Sequence, residues 1–101
     1  MALLYISEFQ GVAQVHGGMS APMEPCLLDQ VPIGIAGGPQ SSQPFTFATK
    51  LIRVHCDSIC SIAIGPPVVT VATTNNARMA TNQTEYFGVL PGHILSVIAN
   101  T

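Results

Sequence analysis

Residues 50–65, KLIRVHCDSICSIAIG, contain two β-branched runs separated by a short polar break. In the first run Ile52, Val54 and Cys56 alternate with polar residues, a pattern typical of a strand with one buried face. The second run alternates in the same way. The break at 57–58 consists of residue types whose side chains bond their own backbone in turns. The stretch therefore predicts the central antiparallel hairpin of an all-β domain.

The rest of the chain consists of short β-branched or aromatic runs separated by glycine, proline and asparagine. We expect residues 3–9 to form a strand at a sheet edge or between subunits. Pro32 should confine the strand 27–36 to a sheet edge or a strand start. This spacing predicts one all-β domain, residues 1–101, of about eight short antiparallel strands in a β-sandwich, jelly roll or small barrel. Besides the hairpin, the predicted strands are 3–9, 27–36, 44–48, 68–72, 84–90 and 93–99, with a brief polar-edged segment at 78–80 and a flexible turn at 37–43.

Charged residues make up 8% of the chain, against about 25% in an average globular protein. With three basic residues the chain lacks the cations that neutralise phosphates, so we expect no nucleic-acid partner. Charges also keep small proteins apart in solution. A nearly uncharged surface on a chain that is 48% apolar therefore predicts coverage by other subunits.

The N-terminal residues, MALLYISEFQ, have no basic region and no small-residue cleavage pattern, so we expect no signal peptide. No apolar run reaches the ~20 residues that span a bilayer, and we expect no membrane partner. Three cysteines, an odd number, fit a reducing compartment in which thiols serve as small apolar side chains. We therefore expect a soluble protein made in a cytosol.

Four residues are of types that bind zinc in other proteins: His55, Cys56, Cys60 and His93. Their spacing argues against a metal site, because neighbours on a strand point to opposite faces and the set lacks paired zinc knuckles. We expect the two cysteines to be reduced core thiols, near each other across the hairpin, and the histidines to lie at the surface or at a subunit contact. A disulfide between the two cysteines is the alternative that geometry permits and a cytosol disfavours.

No catalytic constellation is evident either. The cysteines lie in apolar runs that disfavour thiolates. The sequence has no nucleophile elbow, no phosphate-binding glycine loop and no paired carboxylates at a useful spacing. We therefore expect a protein without catalytic residues or cofactors, not an enzyme.

Residues 10–25 include three glycines and two prolines, and their apolar residues follow no sustained periodicity. They predict an extended arm or long loop. Val12, Val15, Met19 and Met23 are too apolar for a segment that stays solvated. We expect these four side chains to bind a partner and the arm to become ordered against it; incidental loop residues are the alternative.

Several segments together resemble small structural proteins encoded beside capsid genes in tailed bacteriophages. They are LYISEF at 4–9, RVH at 53–55 followed by Asp57, CS at 60–61, NQTEYFGV at 82–89 and VIAN at 97–100. The resemblance covers most of the chain outside the arm. It implies a virion component, such as a capsid decoration or cement protein, and no catalytic residue.

Composition and resemblance together predict a non-enzymatic virion protein that binds copies of itself, as a homotrimer, and the major capsid protein lattice on the outer capsid surface. Neutral, apolar-rich surfaces would stabilise the shell by covering joints between its subunits. Two alternatives stay open: a tail, connector or fibre-attachment component, and a small ligand-binding β-barrel. Six aromatic residues without a tryptophan disfavour a barrel that stacks sugars.

Overall fold

A computed structural model describes residues 2–14, 20–22 and 24–100, which form eleven β-strands and no helix. Two antiparallel sheets enclose one core, and a two-stranded ribbon forms a third sheet. The predicted all-β class is therefore confirmed, as a sandwich. In chain order the strands are β1 (Leu3–Phe9), β2 (Val12–Gln14), β3 (Ser20–Pro22), β4 (Leu28–Asp29), β5 (Ile33–Gly34), β6 (Gln40–Ser41), β7 (Leu51–Cys56), β8 (Cys60–Gly65), β9 (Ala77–Met79), β10 (Gln83–Gly88) and β11 (Ile94–Ala99).

The first sheet has the order β10, β7, β1, with both β4 and β5 against the far side of β1. Strand β1 is thus bonded on both sides, and the prediction that it lies at an edge is wrong. Its inner face carries Leu4, Ile6 and Glu8, and its outer face is covered at Phe9, which is fully buried, but open at Tyr5. The predicted strand 27–36 is split into β4 and β5 because Val31 and Pro32 interrupt it, but its expected edge position is confirmed.

The second sheet has the order β6, β11, β8, β9. Strands β10 and β11 match two predicted strands within one or two residues at each end, and β9 overlaps the brief polar-edged segment predicted at 78–80. Strand β6 lies in the segment 37–43, which was predicted to be only a turn. Its two residues pair with β11, and the adjacent Ser42 amide donates to the Leu95 carbonyl at 2.8 Å.

The stretch 50–65 does not form a hairpin. Strand β7 pairs with β1 and β10 in the first sheet, whereas β8 pairs with β11 and β9 in the second. Residues 57–59 therefore cross from one sheet to the other. They lack the glycine or asparagine that tight hairpin turns favour, and the crossing lets Cys56 and Cys60 enter the same core from opposite sheets.

The predicted strand 44–48 is a loop. The prediction that Phe45 and Phe47 lie on the same side of a strand is wrong. Phe45 is buried, whereas Phe47 is 94% exposed. The Thr46 amide donates to the Glu8 carboxylate at 2.9 Å, and the Thr49 amide donates to the Thr46 carbonyl at 3.1 Å. These bonds curl the backbone into a turn, so it pairs with no strand here.

The predicted strand 68–72 is also a loop. The Thr70 amide donates to the Pro66 carbonyl at 3.2 Å and closes a turn. Proline presets the φ angle for such a turn, and Val68 and Val69 then project into solvent. β-Branched composition favoured a strand, but the preceding proline pair decided the local structure.

The arm is partly regular. Strands β2 and β3 pair antiparallel, with Val12 opposite Pro22 and Gln14 opposite Ser20. The prediction of irregular structure is therefore wrong for these two strands, whose pairing tolerates a proline at the ribbon end. Val15, Met19 and Met23 lie outside the described residues.

Candidate functional site

At one end of the sandwich the loop 44–50 lies against the loop 89–93. The Phe45 amide donates to the His93 carbonyl at 2.9 Å, and the Gly92 amide donates to the Phe45 carbonyl at 3.0 Å. A φ of +80° at Gly92 makes the turn between them, which is the conformation glycine adopts most readily. The two loops therefore form one continuous surface.

A third loop, 66–70, joins them at this end. It follows Gly65, which pairs with Ile94 at the start of β11. A Cβ at Gly65 would lie 2.6 Å from the Thr70 hydroxyl oxygen, so glycine permits the close turn of this loop. The three loops together cap the end of both sheets.

The large apolar side chains of these loops are exposed. Exposed fractions are 94% for Phe47, 93% for Val68, 74% for Val69 and 62% for Leu90. Of the four charged residue types, Asp, Glu, Lys and Arg, the three loops contain a single residue, Lys50. We call these loops and their four exposed apolar side chains the apolar end, a surface of the kind that marks interaction sites.

The arm leaves the sandwich from the same end, because β1 ends at Phe9 and β2 begins at Val12. Of the four residues predicted to bind a partner, the described one, Val12, is 52% exposed. On the returning chain Leu27 and Leu28 are also exposed. Arm and loops thus place apolar side chains on one side of the molecule.

A buried carboxylate fixes the loop that carries Phe47. Glu8, with no exposed surface, points into the space between the sheets. Its Oε1 accepts hydrogen bonds from the Thr46 amide (2.9 Å) and the Thr49 hydroxyl (2.6 Å), and its Oε2 accepts from Gln30 Nε2 (2.8 Å). Three donors from two segments of the chain thus converge on one buried side chain.

The network continues from Gln30 to the start of the same loop. Gln30 Nε2 also donates to the Gln43 carbonyl at 3.2 Å, and the Gln43 amide donates to Gln30 Oε1 at 3.0 Å. The loop is therefore held at both its beginning and its turn. Phe47 is presented by a fixed loop, which lowers the ordering cost of binding a partner.

The opposite end, which we call the polar end, comprises residues 57–59, 80–82 and Asn100. The Asn82 amide donates to the Cys56 carbonyl at 2.9 Å, and the Asn100 amide donates to the Ile59 carbonyl at 3.1 Å. Its exposed and half-exposed side chains are mostly polar. Backbone bonds hold these segments, and here Met79 is buried in the core.

A shallow cleft of about 240 Å³ opens at the polar end, lined by Ile59, Arg78, Met79, Ala80 and Gln83. Small-molecule sites usually have volumes of about 300–1,000 Å³ and enclose most of their ligand. The cleft therefore does not favour the ligand-binding alternative.

The zinc-type residues do not converge. Cys56 and Cys60 are buried free thiols within hydrogen-bonding distance of each other, which confirms their predicted proximity, although it arises between two sheets. His55 is half-buried on the outer face of the first sheet, and His93 lies at the apolar end. Among the described residues, no three His, Cys, Asp or Glu side chains cluster to hold a metal ion.

The thiols are also poor nucleophiles. Burial, and then the hydrogen bond to Cys56, raise the pKa of Cys60 to about 12. Burial and the neighbouring Asp29 raise the pKa of Cys26 as well. Since the thiolate is the reactive form, none of this favours cysteine chemistry.

One exposed group of side chains has the residue types of a hydrolytic triad: the hydroxyl of Thr84, the imidazole of His55 and the carboxylate of Asp57. His55 Nδ1 lies 2.8 Å from Thr84 Oγ1, but its Nε2 is 3.7 Å from Asp57 Oδ1, beyond a hydrogen bond. The group lies on an open sheet face, and half of it is solvated. It therefore lacks the orienting contact and water exclusion on which such catalysis depends.

A second polar cluster joins the returning arm to the first sheet. The Ser7 hydroxyl donates to Asp29 and accepts from Arg53 at 3.1 Å. The hydrogen bond from Ser7, followed by that from Cys26 and the charge of Arg53, lowers the pKa of Asp29. The lowered pKa makes Asp29 a weak base toward Ser7, so we describe the cluster as an attachment of the segment 26–29 to β1.

No protein-family model matches the chain, and neither the curated proteins nor the solved structures include a significant match. In the part of the chain that the structure describes, no helix is long and apolar enough to cross a membrane.

Sequence reasoning missed the apolar end. Two signals pointed to it: Val68 and Val69 directly follow a proline pair, and Leu90 directly precedes the Pro91-Gly92 turn. Both patterns place apolar residues in loops. Phe47 carries no such signal, since its exposure depends on Glu8, which lies far away in sequence.

Proposed function

We propose that this protein is a non-enzymatic structural component of a bacteriophage virion, a capsid decoration protein that docks its apolar end on the major capsid protein lattice. The observation that supports this most is the exposure of Phe47, Val68, Val69 and Leu90 on a fixed surface with one cation. Such a surface suits a neutral, apolar joint between subunits. The protein acts by covering that joint on the outside of the shell.

The size of the apolar end explains why self-association belongs to this function. Burying four large apolar side chains contributes roughly 6–12 kcal/mol before costs. Association costs an estimated 4–15 kcal/mol in lost freedom, so one copy alone would attach weakly. Copies joined to each other attach together, because the second contact is intramolecular. Self-association, for which composition and resemblance predict three copies, and a place on the head instead of the tail are parts of this proposal.

Binding to empty heads of the phage that encodes the protein tests the proposal. Fluorescently labelled protein is mixed with heads, the heads are pelleted, and bound copies are counted. The variants Phe47→Ser and Val68→Ser should each lose most bound copies. Val31→Ser is the matched control, since Val31 is 84% exposed but lies at the lateral edge beside β4, away from the apolar end.

Equal loss of binding in the control would contradict docking by the apolar end. Absence of the wild-type chain from washed, purified virions would contradict the virion role itself. Gold-labelled antibody on intact particles then distinguishes a position on the head from one on the tail.

A further inference from the structure

The first sheet ends on a long, regular strand. Strand β10 pairs with β7 along six residue pairs, and no strand in the described ranges pairs with its other side. The remaining sheet edges are short: β4, β5 and β6 have two residues each, and β9 has three. Proteins protect long edges with lysine, proline, a bulge or an inward-pointing charge; β10, QTEYFG, has no lysine, proline or bulge, and Glu85 is its one charge.

The free side of β10 presents a defined set of backbone groups. Ladder bonds alternate along an antiparallel pair, and the bond from the Val89 amide to the Lys50 carbonyl (3.0 Å) fixes which residues face β7. The N–H and C=O groups of Thr84, Tyr86 and Gly88 therefore point away from the sheet. All three residues are exposed.

We propose that β10 of one copy pairs antiparallel with β10 of a second copy, about a two-fold axis at Tyr86. In this register the two Tyr86 side chains face each other, Thr84 faces Gly88, and Glu85 faces Phe87. The outward donors and acceptors of each strand then match those of the other. Two first sheets become one continuous sheet, with an aromatic pair at its centre.

The side chains select this register over its neighbours. A two-fold axis at Glu85 would place two carboxylates opposite each other, which is destabilising. An axis at Thr84 would leave Phe87 and Gly88 without partners. Centring on Tyr86 avoids both.

This inference rests on the self-association in the proposed function and not on attachment to a shell. It also predicts an even number of copies, whereas the sequence predicts three. The mass of the protein in solution therefore distinguishes the two without any virion present.

The experiment exploits the fact that position 86 faces itself. Tyr86→Lys and Tyr86→Glu each place like charges at the axis, so each variant alone should be monomeric at a concentration where the wild type is a dimer. An equimolar mixture should form a heterodimer, because lysine then faces glutamate. Tyr5→Lys is the matched control: Tyr5 is similarly exposed on the same sheet, but on the internal strand β1, and this variant should remain a dimer.

Native mass spectrometry and sedimentation velocity read the result, and circular dichroism verifies that each variant is folded. A wild type that is monomeric or trimeric overturns the proposal, as do single variants that still dimerise or a mixture that stays monomeric. Should a variant unfold, hydrogen exchange on the wild type decides. The amides of Thr84, Tyr86 and Gly88 should exchange slowly in the dimer and faster on dilution; fast exchange at every concentration contradicts the pairing.

Discussion

The two ends of the sandwich are built from similar short loops but present opposite surfaces. At the polar end Met79 is buried and Ile59 is half-buried, and the side chains that face solvent are mostly polar. At the apolar end Phe47 and Val68 are more than nine-tenths exposed. The difference teaches that exposure at the apolar end is not a failure of a small core to cover its residues, because the same fold covers them at the other end.

The ends also differ in how their loops are held. At the polar end backbone hydrogen bonds are joined by side-chain bonds such as that from the Ala80 amide to Gln83 Oε1 (2.7 Å), whereas at the apolar end the loop with Phe47 is anchored to the fully buried side chain of Glu8. A buried polar side chain needs hydrogen-bond partners to be tolerated. Glu8 is therefore the residue on which the geometry of the apolar end depends most.

The largest expected effect follows from that dependence. Glu8→Ala leaves the donors of Gln30, Thr46 and Thr49 without their acceptor, and each unsatisfied buried group costs about 1–3 kcal/mol. We expect a loss of about 3–5 kcal/mol in the free energy of unfolding, measured by urea denaturation. Glu85→Ala, the control on β10, should cost less than about 1 kcal/mol. Equal losses in the two variants would contradict the anchoring role.

The sequence predicts well which positions along a strand are buried, but it predicts poorly which strands pair with each other. The inward positions of β7 follow from period-two alternation alone. Which strand β7 pairs with depends on whether residues 57–59 turn within a sheet or cross between sheets, and both fit a short polar break. Local patterns therefore identified the longer strands, β1, β7, β8, β10 and β11, but not the sheet to which each belongs.

The candidate site was harder to predict for a related reason. The arm was predicted to bind a partner because it is apolar and irregular in sequence. Of its four predicted partner-binding residues, the structure describes Val12 alone. The apolar end is assembled from three loops that lie far apart in sequence. Its loop at 44–50 is shaped by Glu8, 38 residues before Thr46. Periodicity carries no information about contacts of that range.

At the polar end Cys56 and Cys60 lie beneath residues 57–59, which cross between the sheets. With its pKa raised to about 12, Cys60 is almost entirely protonated at pH 8, and its burial excludes reagents. Alkylation of the native protein at pH 8 should label only Cys26, and unfolding should expose all three thiols. Rapid labelling of three thiols in the native state would show that this end is open.

The smallest expected effect concerns the attachment of the segment 26–29. Because the pKa of Asp29 is lowered on folding, its contribution is present above the ordinary value of 3.8 and is lost as the pH falls through the folded value. Asp29→Asn should therefore destabilise the protein at pH 7, by less than about 1 kcal/mol for so exposed a group. The difference from the wild type should shrink as the pH is lowered below 3.8, measured by urea denaturation at pH 7 and at a series of acidic pH values. A difference that grows on acidification would contradict the assignment.

The central claim is that the apolar end faces the shell and the polar end faces solvent. It is tested most directly by thiol labelling of particle-bound protein in a Cys26→Ser background. Ala48→Cys, beside Phe47, and Thr81→Cys, at the polar end, both lie at exposed positions and should be labelled in the free protein. On the particle we expect Ala48→Cys to be protected and Thr81→Cys to be labelled as before; protection of Thr81→Cys with free labelling of Ala48→Cys would contradict the account.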